Sequence, residues 1–436
     1  MIAASISSVG PTNSFPKPTS IRRDFCGVVC FNVVFGLKHD KEQYKAPLDR
    51  DKMRLIDKLS KGCFTDWPKK GQKVEVDSAN GGEDVFDAVS VEAKVGPDHL
   101  VIMVNGIIGS ASDWRYAAKQ FVKKLPDKVI VHRSKCNSST LTFDGVDQMG
   151  ERLAEEVLDV VGRWPEVKKI SFVAHSLGGL VARYAIGRLY ELLPKMESLG
   201  ITGNCSSVDQ SNNSVQGLEQ RYEARIAGLE PMNFITFATP HLGSRGHKQL
   251  PFLCGLPFLE RKASETAHWI AGRSGKHLFL NDIDNGRPPL LLRMVNDSGD
   301  LKFMSALRSF RRRVAYSNAN YDHMVGWSTS SIRRHYELPK SNLLARDEKY
   351  PHVVYFEPES TVYIHNKASP IVGDQTNDLE EEMIQGLTQV PWERVDVSFR
   401  KSTQRYVAHN TIQVNSYWLN SDGADVVLHM IDNFLL

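Results

Sequence analysis

Residues 170–190 of this chain, Ile-Ser-Phe-Val-Ala-His-Ser-Leu-Gly-Gly-Leu-Val-Ala-Arg-Tyr-Ala-Ile-Gly-Arg-Leu-Tyr, constrain its fold more than any other stretch. The apolar run Ile170 to Val173 leads to Ser176. Apolar residues at helical spacing, Leu177, Leu180, Val181, Tyr184 and Leu189, follow at once. A buried strand that turns directly into a helix leaves its turn residue in a strained backbone conformation, which holds a serine hydroxyl clear of both elements. Crowding at such a turn admits only small residues two positions either side of the serine. Ala174 and Gly178 meet that requirement, as an A-x-S-x-G variant of a pattern that usually has glycine at both places. A strand-to-helix turn without chemistry would have the same local features, so partners for Ser176 have to decide.

The same alternation runs along the chain from His99. Leu100 to Val104 reads as a buried strand ended by Asn105-Gly106, followed by helical spacing at Trp114, Ala117, Phe121 and Leu125. A strand is predicted over Lys128 to His132. An amphipathic helix from about Gly145 to Trp164 comes next, with Met149, Leu153, Val157 and Val161 on one face. Further strands are predicted at Met232 to Ala238, Arg313 to Ser317 and Val395 to Phe399, and a closing helix around Gly423 to Phe434. Strands alternating with helices at this spacing give an α/β fold with a mostly parallel central sheet and helices on both faces. We read residues 1–24 as an unstructured N-terminal segment, 25–98 as an N-terminal extension, and 99–436 as one elaborated domain. That domain carries a polar, low-complexity loop at 201–217, an apolar cap-like insertion at 246–309, and a second insertion at 328–400. The apolar insertion fits either a helical cap over an active site or ordinary core.

Charge and cysteine usage narrow the function classes. A net charge of +3 at pH 7, with no basic run longer than Arg311 to Arg313, gives no electrostatic footprint for nucleic acid. The six cysteines lack C-x-x-C spacing, which fits free thiols in a reducing compartment and suggests neither a disulfide framework nor a metal site. No apolar stretch reaches the length of a membrane-spanning helix. The apolar run Phe25 to Leu37 is short and reads as interfacial or buried. No acidic residue precedes Asp24, a bias that a disordered tail and an organelle transit peptide share. An intracellular location, cytoplasmic or chloroplast, is the expectation.

A nucleophilic serine needs a histidine base, a carboxylate to orient it, and backbone N–H donors for an oxyanion. Asp322, in Asn318-Ala319-Asn320-Tyr321-Asp322-His323-Met324-Val325, follows a predicted strand and is placed at the same sheet edge as Ser176; Asp297 and Asp300 are fallbacks. The chain order Ser, acid, His then requires a later histidine. His409 lies between the last predicted strand and the final helix, whereas His429 is within that helix and His175 falls on the wrong side of the turn to act as base. For the oxyanion hole, Leu177 would donate from the start of the helix. Ile107, in the loop after the first core strand, would supply the second donor.

The segments Val104-Asn105-Gly106-Ile107-Ile108-Gly109-Ser110 with Asp113-Trp114, Phe172 to Gly179, Phe237-Ala238-Thr239-Pro240-His241-Leu242-Gly243-Ser244, and Leu278-Phe279-Leu280-Asn281-Asp282 carry a specific resemblance. The chain resembles the putative serine esterase family of lipase-like α/β hydrolases. Relatives usually have His-Gly where this chain has Asn105-Gly106. The resemblance implies an α/β-hydrolase fold, no cofactor, and hydrolysis of an ester, with lipid acyl chains as the expected substrate; a peripheral membrane contact is a separate expectation, from the apolar insertion. A binding or regulatory protein using the same pocket, without catalysis, is the alternative.

Overall fold

The central strands are short apolar runs buried along their whole length, because helices cover both sides of the sheet. The computed structural model describes residues 85–86, 96–194, 222–244, 271–283, 286–359 and 375–436. The expectations for residues 1–24, for nearly all of 25–95, for the polar loop 201–217, and for 246–270 of the apolar insertion fall outside them.

In chain order the elements are β1 (Val85–Phe86), β2 (His99–Val104), α1 (Arg115–Lys124), β3 (Val129–Arg133), α2 (Val146–Arg163), β4 (Lys169–His175), α3 (Leu177–Leu189), β5 (Tyr190–Pro194), β6 (Tyr222–Ile226) and β7 (Glu230–Phe237). Then come α4 (Phe303–Ser309), β8 (Arg312–Asn318), α5 (Trp327–Ser331), β9 (Val353–Glu357), α6 (Gln375–Leu387), β10 (Glu393–Val397), α7 (Ala408–Thr411), α8 (Tyr417–Asn420) and α9 (Ala424–Asp432). Eight strands form one sheet in the order β1-β3-β2-β4-β7-β8-β10-β9. Its six inner strands are parallel, and the two edge strands, β1 and β9, run antiparallel to their neighbours. This is the α/β-hydrolase architecture.

Alternation along each strand divides the core in two. Leu100, Ile102 and Val104 of β2 face a cluster with α2, α3, α4 and α6, while Val101 and Met103 face a second cluster with α1 and α9. Helix α2 buries Met149, Leu153 and Val157 as its spacing predicts. Val160, rather than Val161, completes the stripe, since steps mixing three and four residues follow the helical period better than four throughout. Register brings the strand ends level: Val104 pairs with Ala174, His175 with Phe237, and Phe237 with Tyr316. The loops after β2, β4, β7 and β8 therefore emerge at one edge, where parallel sheets place their sites.

The structure adds detail to two parts of the organisation. Within the apolar insertion, Leu290, Leu291, Phe303, Met304 and Leu307 belong to the core cluster against α3, so these segments pack as core. The second insertion, 328–400, ends in the expected strand, found as β10 at Glu393–Val397, and also supplies β9, which the sequence reading did not include. In addition, α3 runs straight into β5, which pairs with β6 as an antiparallel ribbon that the polar sequence beyond Tyr190 did not suggest.

Candidate active site

Ser176 occupies the turn between β4 and α3 with φ 53° and ψ −129°, a region costly for any residue with a Cβ. Its neighbours are packed closely against it. A Cβ on Gly178 would run into the carbonyl oxygens of Val104 and Asn105, and one on Gly106 would come within 2.9 Å of the Ser176 Cβ. The Ser176 N–H donates to the Phe237 carbonyl at 2.9 Å, and Ala238 N–H in turn donates to Tyr316, so the next two strands brace the turn. Backbone strain concentrates here: Ile108, Ser176, Ala238 and Tyr321, all with positive φ, follow the ends of β2, β4, β7 and β8.

The structure brings Ser176, His409 and Asp322 into direct contact. His409 Nε2 lies 3.0 Å from Ser176 Oγ, and His409 Nδ1 lies 3.0 Å from Asp322 Oδ2. The carboxylate is fully engaged. Its Oδ2 also accepts from Asn318 Nδ2 at 2.8 Å, and its Oδ1 accepts from the N–H groups of Met324 and Val325 at 2.9 Å each. Burial would push the Asp322 carboxyl up, but the charge of His409 and these hydrogen bonds outweigh it and hold the group below its ordinary value of 3.8. An ionised Asp322 accepting from Nδ1 fixes the tautomer that leaves Nε2 free to take a proton from serine.

His175 has a role that its position beside the nucleophile did not reveal. Its ring is buried under His409, with centroids 4.7 Å apart, and its Nε2 lies 2.8 Å from the His409 carbonyl oxygen. Burial first, and the nearby charge of His409 second, push its pKa down to about 3, so the ring is neutral at ordinary pH. A neutral imidazole bonded to a carbonyl must be the donor, which places its proton on Nε2. Asn318 works similarly from the strand side, donating to both Asp322 and the Ala408 carbonyl. The signal in sequence was a polar side chain at the buried end of each of two apolar strands.

The predicted oxyanion donors sit on the two loops that meet at Ser176. In the β2 loop, the N–H of Gly109 is spent on the Gly106 carbonyl and that of Ile108 on Thr142 Oγ1 at 2.9 Å. Among the described residues, no hydrogen bond engages the N–H of Ile107 or of Leu177. Asn105 stiffens the loop from below, its Nδ2 donating to the carbonyls of Gly106 and Asn137.

The fallback residues lie elsewhere. Asp297 accepts from the N–H groups of Met304 and Ser305 at the start of α4, and Asp300 is exposed. The imidazole of His429 bonds the Tyr316 hydroxyl at 2.8 Å, within the second core cluster's layer. Among the described residues no group of three or more His, Cys, Asp or Glu could hold a metal ion.

Comparison with known proteins places this geometry in context. The model of a family described as putative serine esterase (DUF676) matches residues 94–332, which include Ser176 and Asp322 but not His409. A protein named putative lipase ROG1, from Saccharomyces cerevisiae, is 30% identical over 240 residues, covering 54% of this chain and 28% of its own length. Putative lipase C4A8.10 from Schizosaccharomyces pombe is 27% identical over 243 residues, covering 54% of this chain and 26% of its own. The chain thus spans under a third of the length of these curated relatives. Among solved structures, an esterase of Pyrococcus furiosus aligns with TM-score 0.32 and 12% identity over 78% of this chain and 83% of its own. Lipase B of Aspergillus fumigatus aligns with TM-score 0.30 and 14% identity over 56% and 44%.

Proposed function

This chain belongs to the putative serine esterase family, and from that premise we propose that it is a serine hydrolase that cleaves carboxylic esters of lipid acyl chains through an acyl-enzyme on Ser176. The observation that carries the proposal is the unbroken set of contacts from Ser176 Oγ through the His409 imidazole to the Asp322 carboxylate, 3.0 Å at each step.

The chemistry follows from those contacts. Ser176 Oγ attacks the ester carbonyl carbon as its proton passes to His409 Nε2, and the resulting imidazolium is stabilised by Asp322. The N–H groups of Ile107 and Leu177 donate to the oxyanion, with the dipole of α3 adding to the second. Collapse breaks the carbon–oxygen bond to the alcohol, which leaves with the proton from His409. Water then attacks the acyl-enzyme, His409 takes its proton and returns it to Ser176, and the carboxylic acid departs. The lipid acyl class rests on the family's lipase-named relatives.

The test is Ser176→Ala, which removes one oxygen from a turn whose backbone is fixed by its surroundings. Hydrolysis of a short-chain ester should fall by about four to six orders of magnitude, with melting temperature unchanged. Labelling by a fluorophosphonate probe should vanish. Undiminished hydrolysis by the folded variant would remove Ser176 as the nucleophile, whereas a folded parent that neither hydrolyses esters nor takes the probe would leave a binding protein as the better reading.

A further inference from the structure

Three consecutive large apolar residues, Tyr417, Trp418 and Leu419, make up most of the single-turn helix α8, and all are exposed, Trp418 to 86%. A folded protein hides such a run unless something uses it. The run is adjacent to the proposed catalytic residues. Gln404 bonds Ser421 and the Asp422 N–H, which ties α8 to the 3-10 turn Thr403–Val407, and His409 comes two residues after that turn. Tyr406 and Val407, in the turn, are exposed as well. Tyr321 and Met324, flanking Asp322, continue the apolar surface, and the Tyr321 and Tyr406 rings meet edge to face at 6.0 Å. On the far side Tyr417 stacks on Tyr116 of α1 at 5.0 Å.

Positive charge accompanies the aromatic surface. Arg400 and Lys401 are exposed in the bend that leads into the same turn, and the Arg405 guanidinium lies over the Tyr321 and Tyr406 rings. None of these three cations forms an ion pair with a described residue. Tyrosine and tryptophan beside unpaired Lys and Arg is the composition of segments that rest at a lipid–water boundary.

We propose that the exposed surface formed by Tyr406, Val407 and Tyr417 to Leu419, with Arg400, Lys401 and Arg405, docks on an anionic phospholipid bilayer, setting the loops that carry Asp322 and His409 against the membrane. Two features favour a bilayer over a protein partner. The unpaired cations complement a negative lipid surface, whose attraction adds to aromatic insertion. The surface also borders the residues that an acyl ester would have to reach. Substrate delivery rests on the serine hydrolase reading above, but docking itself does not.

The experiment is sedimentation of the full chain with vesicles of phosphatidylcholine alone and of phosphatidylcholine mixed with phosphatidylserine, beside hydrolysis of a dissolved short-chain ester. Binding should require phosphatidylserine and weaken steeply with salt. It should fall about fivefold for each of Arg400→Gln, Lys401→Gln and Arg405→Gln. Trp418→Ser should reduce it more than tenfold while leaving hydrolysis of the dissolved ester unchanged. Absence of vesicle binding by a chain that hydrolyses the dissolved ester overturns the docking proposal. So does a Trp418→Ser variant that turns a dimer into a monomer, since the surface would then join two copies of the chain. Vesicle binding with this pattern by a chain that hydrolyses no ester would uphold docking and discard the hydrolase reading instead.

Discussion

The turn that carries Ser176 and the loop that carries His409 are built in opposite ways. At the turn the residues are fixed by what lies within or directly beneath them: a Cβ on Gly178 would meet the carbonyl oxygens of Val104 and Asn105, one on Gly106 would meet the Ser176 Cβ, and the Ser176 N–H is held by the Phe237 carbonyl. The base has no such local mould. His409 lies in the single turn α7, preceded by exposed Tyr406 and Val407, and its place is set by contacts with residues at least 87 positions away, Asp322 and His175. In the proposed mechanism a rigid nucleophile and a tethered base therefore respond differently to substitution. Packing changes at the turn should destroy the fold around it, whereas cutting a tether to the base should leave the fold and lower the rate.

Asp322→Asn cuts the strongest tether. Without the carboxylate the Nδ1 proton is free to move to Nε2, where the imidazole can no longer accept from serine, so kcat should fall by about four orders of magnitude with KM nearly unchanged. Circular dichroism should still report the folded chain. A loss of less than tenfold would mean that some other group orients His409, and the contrast between the two regions would lose its basis.

His175→Phe tests the second tether more gently. Phenylalanine keeps a ring beneath His409 but cannot donate to its carbonyl, so kcat should drop by about tenfold at constant KM, and His175→Gln, which retains a donor, should recover part of it. The substitution has a pH signature that packing alone would not give. His175 titrates at an ordinary value of 6.5 when unfolded and near 3 when folded, so the unfolded chain binds the extra proton between those values. Stability therefore declines as pH falls from about 6.5 toward about 3, and is fully present above that window. His99, lowered to about 4 by burial, contributes over much of the same range. In melts from neutral to acid pH, the Phe variant should lose less stability than the parent. Parallel curves would show that His175 is not held neutral by the fold.

What the sequence made legible follows the same division. The strand-turn-helix at Ser176 and the loop after β2 could be read because their determinants are neighbours in the chain: apolar runs, helical spacing, and glycine at crowded positions. Asp322 and His409 could be named only through chain order and strand ends, and their 3.0 Å contacts were beyond what spacing can express. The supporting donors His175 and Asn318 were missed because each acts across the fold, His175 on a residue 234 positions away and Asn318 on Ala408 90 positions away. The apolar insertion stayed open between cap and core for a related reason. Leu290 to Leu292 and Phe303 to Leu307 look alike whether they cover a site or pack on α3, and only tertiary contact assigns them to the core.

The central claim, that His409 is the base for Ser176, is tested most directly by the rate of fluorophosphonate labelling in His409→Ala and His429→Ala, followed by intact-protein mass spectrometry with the adduct mapped. The account predicts that the parent and His429→Ala form the Ser176 adduct at equal rates, since His429 is bonded to Tyr316 and not to the nucleophile. His409→Ala should label slower by about three orders of magnitude or more while remaining folded. Undiminished labelling of His409→Ala, or loss of labelling in a folded His429→Ala, would contradict it.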